Sequence, residues 1–169
     1  MISSGPFMSH QPVIDGFEFA SAGATQQGVL PLSGFERLRD MLASDQGEVA
    51  YELKGLRDAR GRPSLRLRVE GTLQLRCQRC LGPLAFEVKA DEVLVLAATQ
   101  AEIDADPADV EAPDRVLAAK EMRVADLVED ELILVLPYAP RHDECAPAAR
   151  QGEGATVRPF EGLRDKLKH

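Results

Sequence analysis

Leu65 to Arg76 reads LRLRVEGTLQLR. Leu65, Leu67, Val69, Leu73 and Leu75 fall on one parity, and Arg66, Arg68, Glu70, Thr72, Gln74 and Arg76 fill the other. Successive side chains of a strand point to opposite faces, so this pattern predicts a strand with one buried and one wet side. Upstream, Val49, Tyr51 and Leu53 alternate with Glu48, Glu52 and Lys54. Asp58-Ala59-Arg60-Gly61-Arg62-Pro63 supplies turn chemistry between the two runs, and together they predict an antiparallel hairpin. Downstream, Leu84, Phe86, Val88 and Ala90 carry the period into a third strand. Its phase then changes into Val93-Leu94-Val95-Leu96, which predicts a bulge near Asp91.

Around this sheet the pattern is helical or irregular. Pro31-Leu32-Ser33 offers a helix start, and Phe35, Leu38, Met41 and Leu42 share one face of about three turns. Asp126-x-x-Glu129 resembles a capping box before Leu127, Val128, Leu132, Ile133, Val135 and Leu136, a buried helix that stops at Pro137. Gln100 to Asp114 is a solvated acidic loop, with a short edge strand from Arg115 to Ala119. The expected architecture is α+β: an antiparallel sheet, made of the hairpin plus following strands, with helices packed on it. The single domain spans residues 28–145. A flexible N-terminal arm over 1–27, with a short strand at Gly16 to Ala20, precedes it; a tail over 146–169, with an amphipathic turn at Phe160, Leu163 and Leu167, follows it.

With 169 residues, 44% of them apolar and 28% charged, the chain has the makings of one globular core. Its longest apolar run, Leu132 to Leu136, is far short of the roughly 20 residues that span a bilayer. The start, MISSGPFMSHQPV, has neither a basic beginning nor a long apolar stretch, so cytoplasmic residence without a membrane association is expected. Three cysteines are an odd number, which suits reduced thiols or a metal site better than a disulfide framework.

Net charge is −8, yet it is unevenly spread. Lys54 to Lys89 holds nine basic residues against Asp58, Glu70 and Glu87, a net of +6, which leaves −14 for the remainder. The asymmetry suggests one face for an anionic partner and another for a basic one. Arg66, Arg68 and Arg76 share the wet side of their strand, and Arg79 follows at the turn, so all four are candidates to track an RNA backbone. No Phe, Tyr or Trp interleaves with them to stack bases. The alternative is a set of solvated arginines with cross-strand acids, Arg68 beside Glu52 for example.

Cys77-Gln78-Arg79-Cys80-Leu81-Gly82-Pro83 sits where the chain must reverse. A two-residue gap lets both sulfurs face one ion, and His142 and Cys145 are the soft ligands that would complete a Cys3His set for zinc. Against this stands a plain turn with a free thiol at Cys145. A thiol redox protein is a further alternative, in which Arg76 and Arg79 would lower the thiol pKa. That reading lacks the helix that thioredoxin-like proteins place after the first cysteine. Catalysis has no candidate constellation. His10, His142 and His169 are scattered, and no nucleophile elbow or phosphate-binding glycine loop is present. Glu129, Asp130 and Glu131 read as helix-start acids.

Three stretches in combination, LRCQRCLGPLAFEV (75–88), VADLVEDELILVLPYAPRHDEC (124–145) and RPFEGLRDKLKH (158–169), resemble the bacterial YceD family of large ribosomal RNA subunit accumulation proteins. The resemblance runs from about Gln74 to the last residue. It implies a non-enzymatic ribosome-biogenesis factor that supports accumulation of large-subunit (23S) ribosomal RNA. Its partners would be precursor RNA, a basic ribosomal protein, or both. Carried over with it are Cys77, Arg79 and Cys80, the acids Glu129, Asp130 and Glu131, and His142, Asp143 and Cys145. Some relatives bear a second Cys-x-x-Cys after the helix, whereas 146–154 here contains no cysteine. That departure weighs against a closed structural zinc site.

Overall fold

A computed structural model describes residues 12–105 and 113–147. The long alternating run forms strand β5 (Pro63–Arg76), flanked by β4 (Glu48–Arg57) and β6 (Pro83–Ala97). β4 pairs with β2 (Thr25–Pro31), and β7 (Arg115–Leu117) joins β6 in parallel, giving the order β2-β4-β5-β6-β7. β3 (Leu42–Ser44) takes the place beside β5 where β4 has run out, pairing Leu42 with Leu75. β1 (Val13–Ile14) and β8 (Met122–Arg123) form a separate antiparallel pair. Among the described residues three helices complete the α+β fold: α1 (Gly16–Ala22), α2 (Gln100–Asp104) and α3 (Val124–Val135).

The apolar parity of β5 is the core. Leu65, Leu67, Val69, Leu73 and Leu75 are all buried, and each such side chain contributes roughly 1.5–3 kcal/mol relative to exposure. α3 lays Val128 and Leu132 against them, with its C-cap Leu136 also buried, and α1 packs across β4 and β5. A Cβ on Gly55 would lie 2.2 Å from the Phe19 carbonyl oxygen, so only glycine lets α1 approach the sheet this closely.

Four local expectations are corrected. Gly16 to Ala20 is helical. Asp15 accepts the Glu18 N–H at 3.0 Å as N-cap, and Gly23 closes the helix in the left-handed region at φ 59°. The segment 31–42 contains one 3-10 turn, Leu32–Gly34, and no three-turn helix. Its Phe35, Leu38 and Leu42 are buried as expected, but the N–H groups of Arg37 and Leu38 are claimed by Glu129 from α3. The β5–β6 register is unbroken from Arg76↔Pro83 to Ser64↔Val95, so there is no bulge at Asp91. The phase change arises because Leu94, Val95, Leu96 and Ala97 are buried on both faces of the sheet. Finally, Asp126 does not cap α3. The helix already starts at Val124, whose N–H bonds the Pro12 carbonyl at 2.9 Å.

The expected edge strand is β7, and the acidic stretch opens with the short α2. The amphipathic turn expected at Phe160, Leu163 and Leu167 lies outside the described residues. Among the described residues no helix is long and apolar enough to cross a membrane.

Candidate metal centre and surrounding surface

β5 and β6 are the two arms of a ribbon that turns at Cys77–Gly82. Cys77 N–H bonds the Gly82 carbonyl at 2.9 Å, and Leu81 N–H returns to the Cys77 carbonyl at 2.9 Å. Leu81 takes the left-handed region at φ 61°, which lets the chain fold back within six residues. The segment after α3 is fastened to this turn from outside: Gln78 N–H bonds the Pro140 carbonyl at 2.8 Å. Arg79 Nη1 also reaches the Cys145 carbonyl at 3.4 Å.

That fastening brings four ligand atoms together. The Sγ atoms of Cys77, Cys80 and Cys145 and a ring nitrogen of His142 all lie within 4.8 Å of one another. Cys77 Sγ and Cys145 Sγ are 3.8 Å apart, and Cys80 Sγ is 3.4 Å from His142 Nδ1. A tetrahedron with metal–sulfur bonds of about 2.3 Å and a metal–nitrogen bond of about 2.0 Å has edges of about 3.8 Å and 3.5 Å. A disulfide would need sulfurs at about 2.05 Å.

The donor chemistry fits as well. His142 Nε2 lies 2.9 Å from the Pro83 carbonyl, a pure acceptor, so Nε2 carries the proton and Nδ1 turns its lone pair to the sulfurs. Arg79 N–H points at Cys77 Sγ at 3.4 Å. The Cys77 thiol is pulled down to about 5, chiefly by the backbone N–H of Cys80, with those of His142 and Arg79 adding to it against the opposing cost of burial. Burial pushes the Cys145 thiol up, and the neighbouring Cys77 and Cys80 sulfurs push it further. The residues therefore fit zinc, which would supply a cross-link and a closed coordination shell.

The arginines separate into two groups. Arg66 makes two bonds to Asp91, at 2.6 and 2.7 Å, and Arg68 is shared between Asp91 at 3.1 Å and Glu52 at 3.2 Å. These are the cross-strand pairs of the alternative reading. Across the wet face Lys54, Arg66, Arg68 and Lys89 stand among Glu48, Glu52, Glu70, Glu87 and Asp91. Three of those acids lie outside the 54–89 window, so a count along the chain misses the neighbours that pairing supplies. Arg76 and Arg79, at the cysteine–histidine end, have no carboxylate partner among the described residues; Arg76 bonds the Leu42 carbonyl.

The Asp91 carboxyl is held at about 2, below its ordinary value, first by Arg66 and then by Arg68. This pairing stabilises the fold above about pH 4 and ceases to do so as pH falls through about 2. Urea midpoints of wild type and Asp91→Asn are therefore expected to differ at pH 7 and to converge near pH 2. A constant difference at both pH values would refute the pairing.

The three consecutive acids of α3 do three different things, since helical neighbours are about 100° apart. Glu129 is buried and accepts the N–H groups of Arg37 at 2.7 Å and Leu38 at 3.3 Å, together with Arg37 Nε at 3.0 Å. Asp130 is exposed and holds the other side of the same guanidinium. Glu131 turns away from both, toward β6 and β7. Arg37 is the functional neighbour the sequence conceals. It sits on the polar side of an apparent amphipathic helix, with no local signal of its role.

A mostly antiparallel sheet whose longest ribbon ends in a Cys3His turn defines an α+β protein organised around a candidate structural metal centre. A family model described as "Large ribosomal RNA subunit accumulation protein YceD" matches residues 65–164, and the chain belongs to that family. Membership implies a role in the accumulation of large-subunit ribosomal RNA, and the family is not a known enzyme family. No solved structure matches the chain.

Proposed function

We propose that the chain is a non-enzymatic assembly factor of the cytoplasm that supports accumulation and processing of 23S ribosomal RNA by direct contact with its precursor. In this reading zinc at Cys77, Cys80, His142 and Cys145 stiffens the tip of the β5–β6 ribbon. Arg76 and Arg79 at that tip meet RNA phosphates. The observation that carries the reading is the family match over residues 65–164, which spans the ribbon, its tip and α3. Two features of the tip support it. Arg76 and Arg79 are not committed to carboxylates, unlike Arg66 and Arg68. Tyr138, two residues before the tethering Pro140, is fully exposed, and an exposed ring is a platform for an unpaired base.

The test is filter binding of a 23S precursor transcript at 50 and 200 mM salt. The double variant Arg76→Ala/Arg79→Ala should weaken binding and lower the slope of log affinity against log salt by about 2, one for each lost phosphate contact. Arg66→Ala/Arg68→Ala should change the slope less, because those guanidiniums are already neutralised. Absence of binding at 50 mM salt would refute direct RNA contact.

A further inference from the structure

A second site lies between α3 and the β6–β7 edge. A cavity of about 310 Å³ is walled by Leu94, Val116, Leu127, Ile133 and Leu134, with Asp114, Asp130 and Glu131 as its acidic lining. Glu131 is only 4% exposed, yet it makes no hydrogen bond or ion pair with any described residue. Two cations share the lining: Arg37 is paired with Glu129 and Asp130, and Arg115 bonds the Glu102 carbonyl through Nη1 at 2.8 Å while its buried Nε makes no hydrogen bond to a described residue. Burial raises the Glu131 pKa, and the like charges of Glu92 and Asp114 raise it further. A carboxylate in that position destabilises the free protein unless a cation arrives to pair with it.

We infer that this cavity receives a lysine or arginine side chain from a basic protein segment, with Glu131 as the buried counter-charge. Apolar walls suit the methylene stem of such a residue while the carboxylates meet its charged end. Glu131, Asp114 and Glu92 exclude phosphate, so this is not a second RNA contact. Nor do they form a metal site, since the metal-ligating group found among the described residues is the cysteine–histidine cluster. The inference goes beyond the RNA reading and does not depend on it.

The test uses full-length protein and fluorescein-labelled octalysine as probe, followed by anisotropy at 150 mM salt. Glu131→Gln should weaken binding at least about tenfold, as expected for loss of one member of a desolvated pair. Glu48→Gln, which removes one exposed charge from the far face of the sheet, should weaken it less than about twofold. Glu131→Gln should also melt at or above the wild-type temperature at pH 7, because it removes an unpaired buried charge. Equal losses in the two variants would reduce the effect to net charge and overturn the site. So would unchanged affinity, or a clearly lower melting temperature, in Glu131→Gln. Binding of the 23S transcript should be unaffected by Glu131→Gln, so this site and the RNA contact fail separately.

Discussion

Protein purified without chelator is expected to carry about one zinc per chain, and Cys77→Ser to carry almost none. Cys77 is fully buried beneath the turn, and its sulfur is the one that the surrounding backbone N–H groups already hold toward the thiolate. Loss of a structural metal belongs to the few single changes that cost more than about 4 kcal/mol. The damage should be local first. Strand pairing runs unbroken to Arg76↔Pro83 over a core in which Cys77 is the one ligand, at its edge, whereas the segment after α3 reaches the tip through Gln78–Pro140 and the ligands themselves. Hydrogen exchange should therefore accelerate by orders of magnitude at the Gln78 amide while Leu67 and Val69 keep their protection. Zinc content near zero in wild type, together with a thiol at Cys77 that alkylates rapidly at pH 6, would transfer the centre to the redox reading.

Glu129→Ala should be the most destabilising change on α3. Its carboxylate satisfies two backbone N–H groups and one guanidinium, and alanine leaves the N–H groups of Arg37 and Leu38 without an acceptor, while the half-exposed guanidinium keeps Asp130 and water. Leaving two backbone donors unsatisfied costs about 1–3 kcal/mol each, which in a chain of this size lowers the melting temperature by roughly 10 °C. Glu129→Gln keeps an acceptor for the backbone and should lose about 1–2 kcal/mol. Arg37→Ala should also be mild, because that side chain is half exposed and the backbone bonds survive. If Arg37→Ala instead matched Glu129→Ala, the ion pair rather than the backbone clamp would be the main interaction. Thermal melts of the three variants at pH 7 give the ordering.

The legible parts of this protein were those with a period. β4, β5 and the first half of β6 follow from two-residue alternation, and α3 from its apolar stripe and Pro137. Of the departures, one was decided locally and another by a group distant in sequence. Phe17 and Phe19 alternate like a strand, although Asp15, Glu18 and Gly23 were readable as caps of the helix that forms. Phe35, Leu38 and Leu42 have helical spacing, but a carboxylate about ninety residues away takes the N–H groups a helix would use. At the candidate centre, ligand types and spacing were visible in Cys77-x-x-Cys80 and His142-x-x-Cys145, and their convergence was not.

The sequence by itself determined the sheet, its buried face, the ligand types and the kinship, because alternation, residue chemistry and motif order are properties of the chain. Tertiary structure alone decided which charges are neutralised, which acid of α3 is buried without a partner, and whether two distant pairs of ligands meet. Those outcomes depend on distances of a few ångströms between residues separated by 16 to 92 positions, and no local pattern encodes such distances.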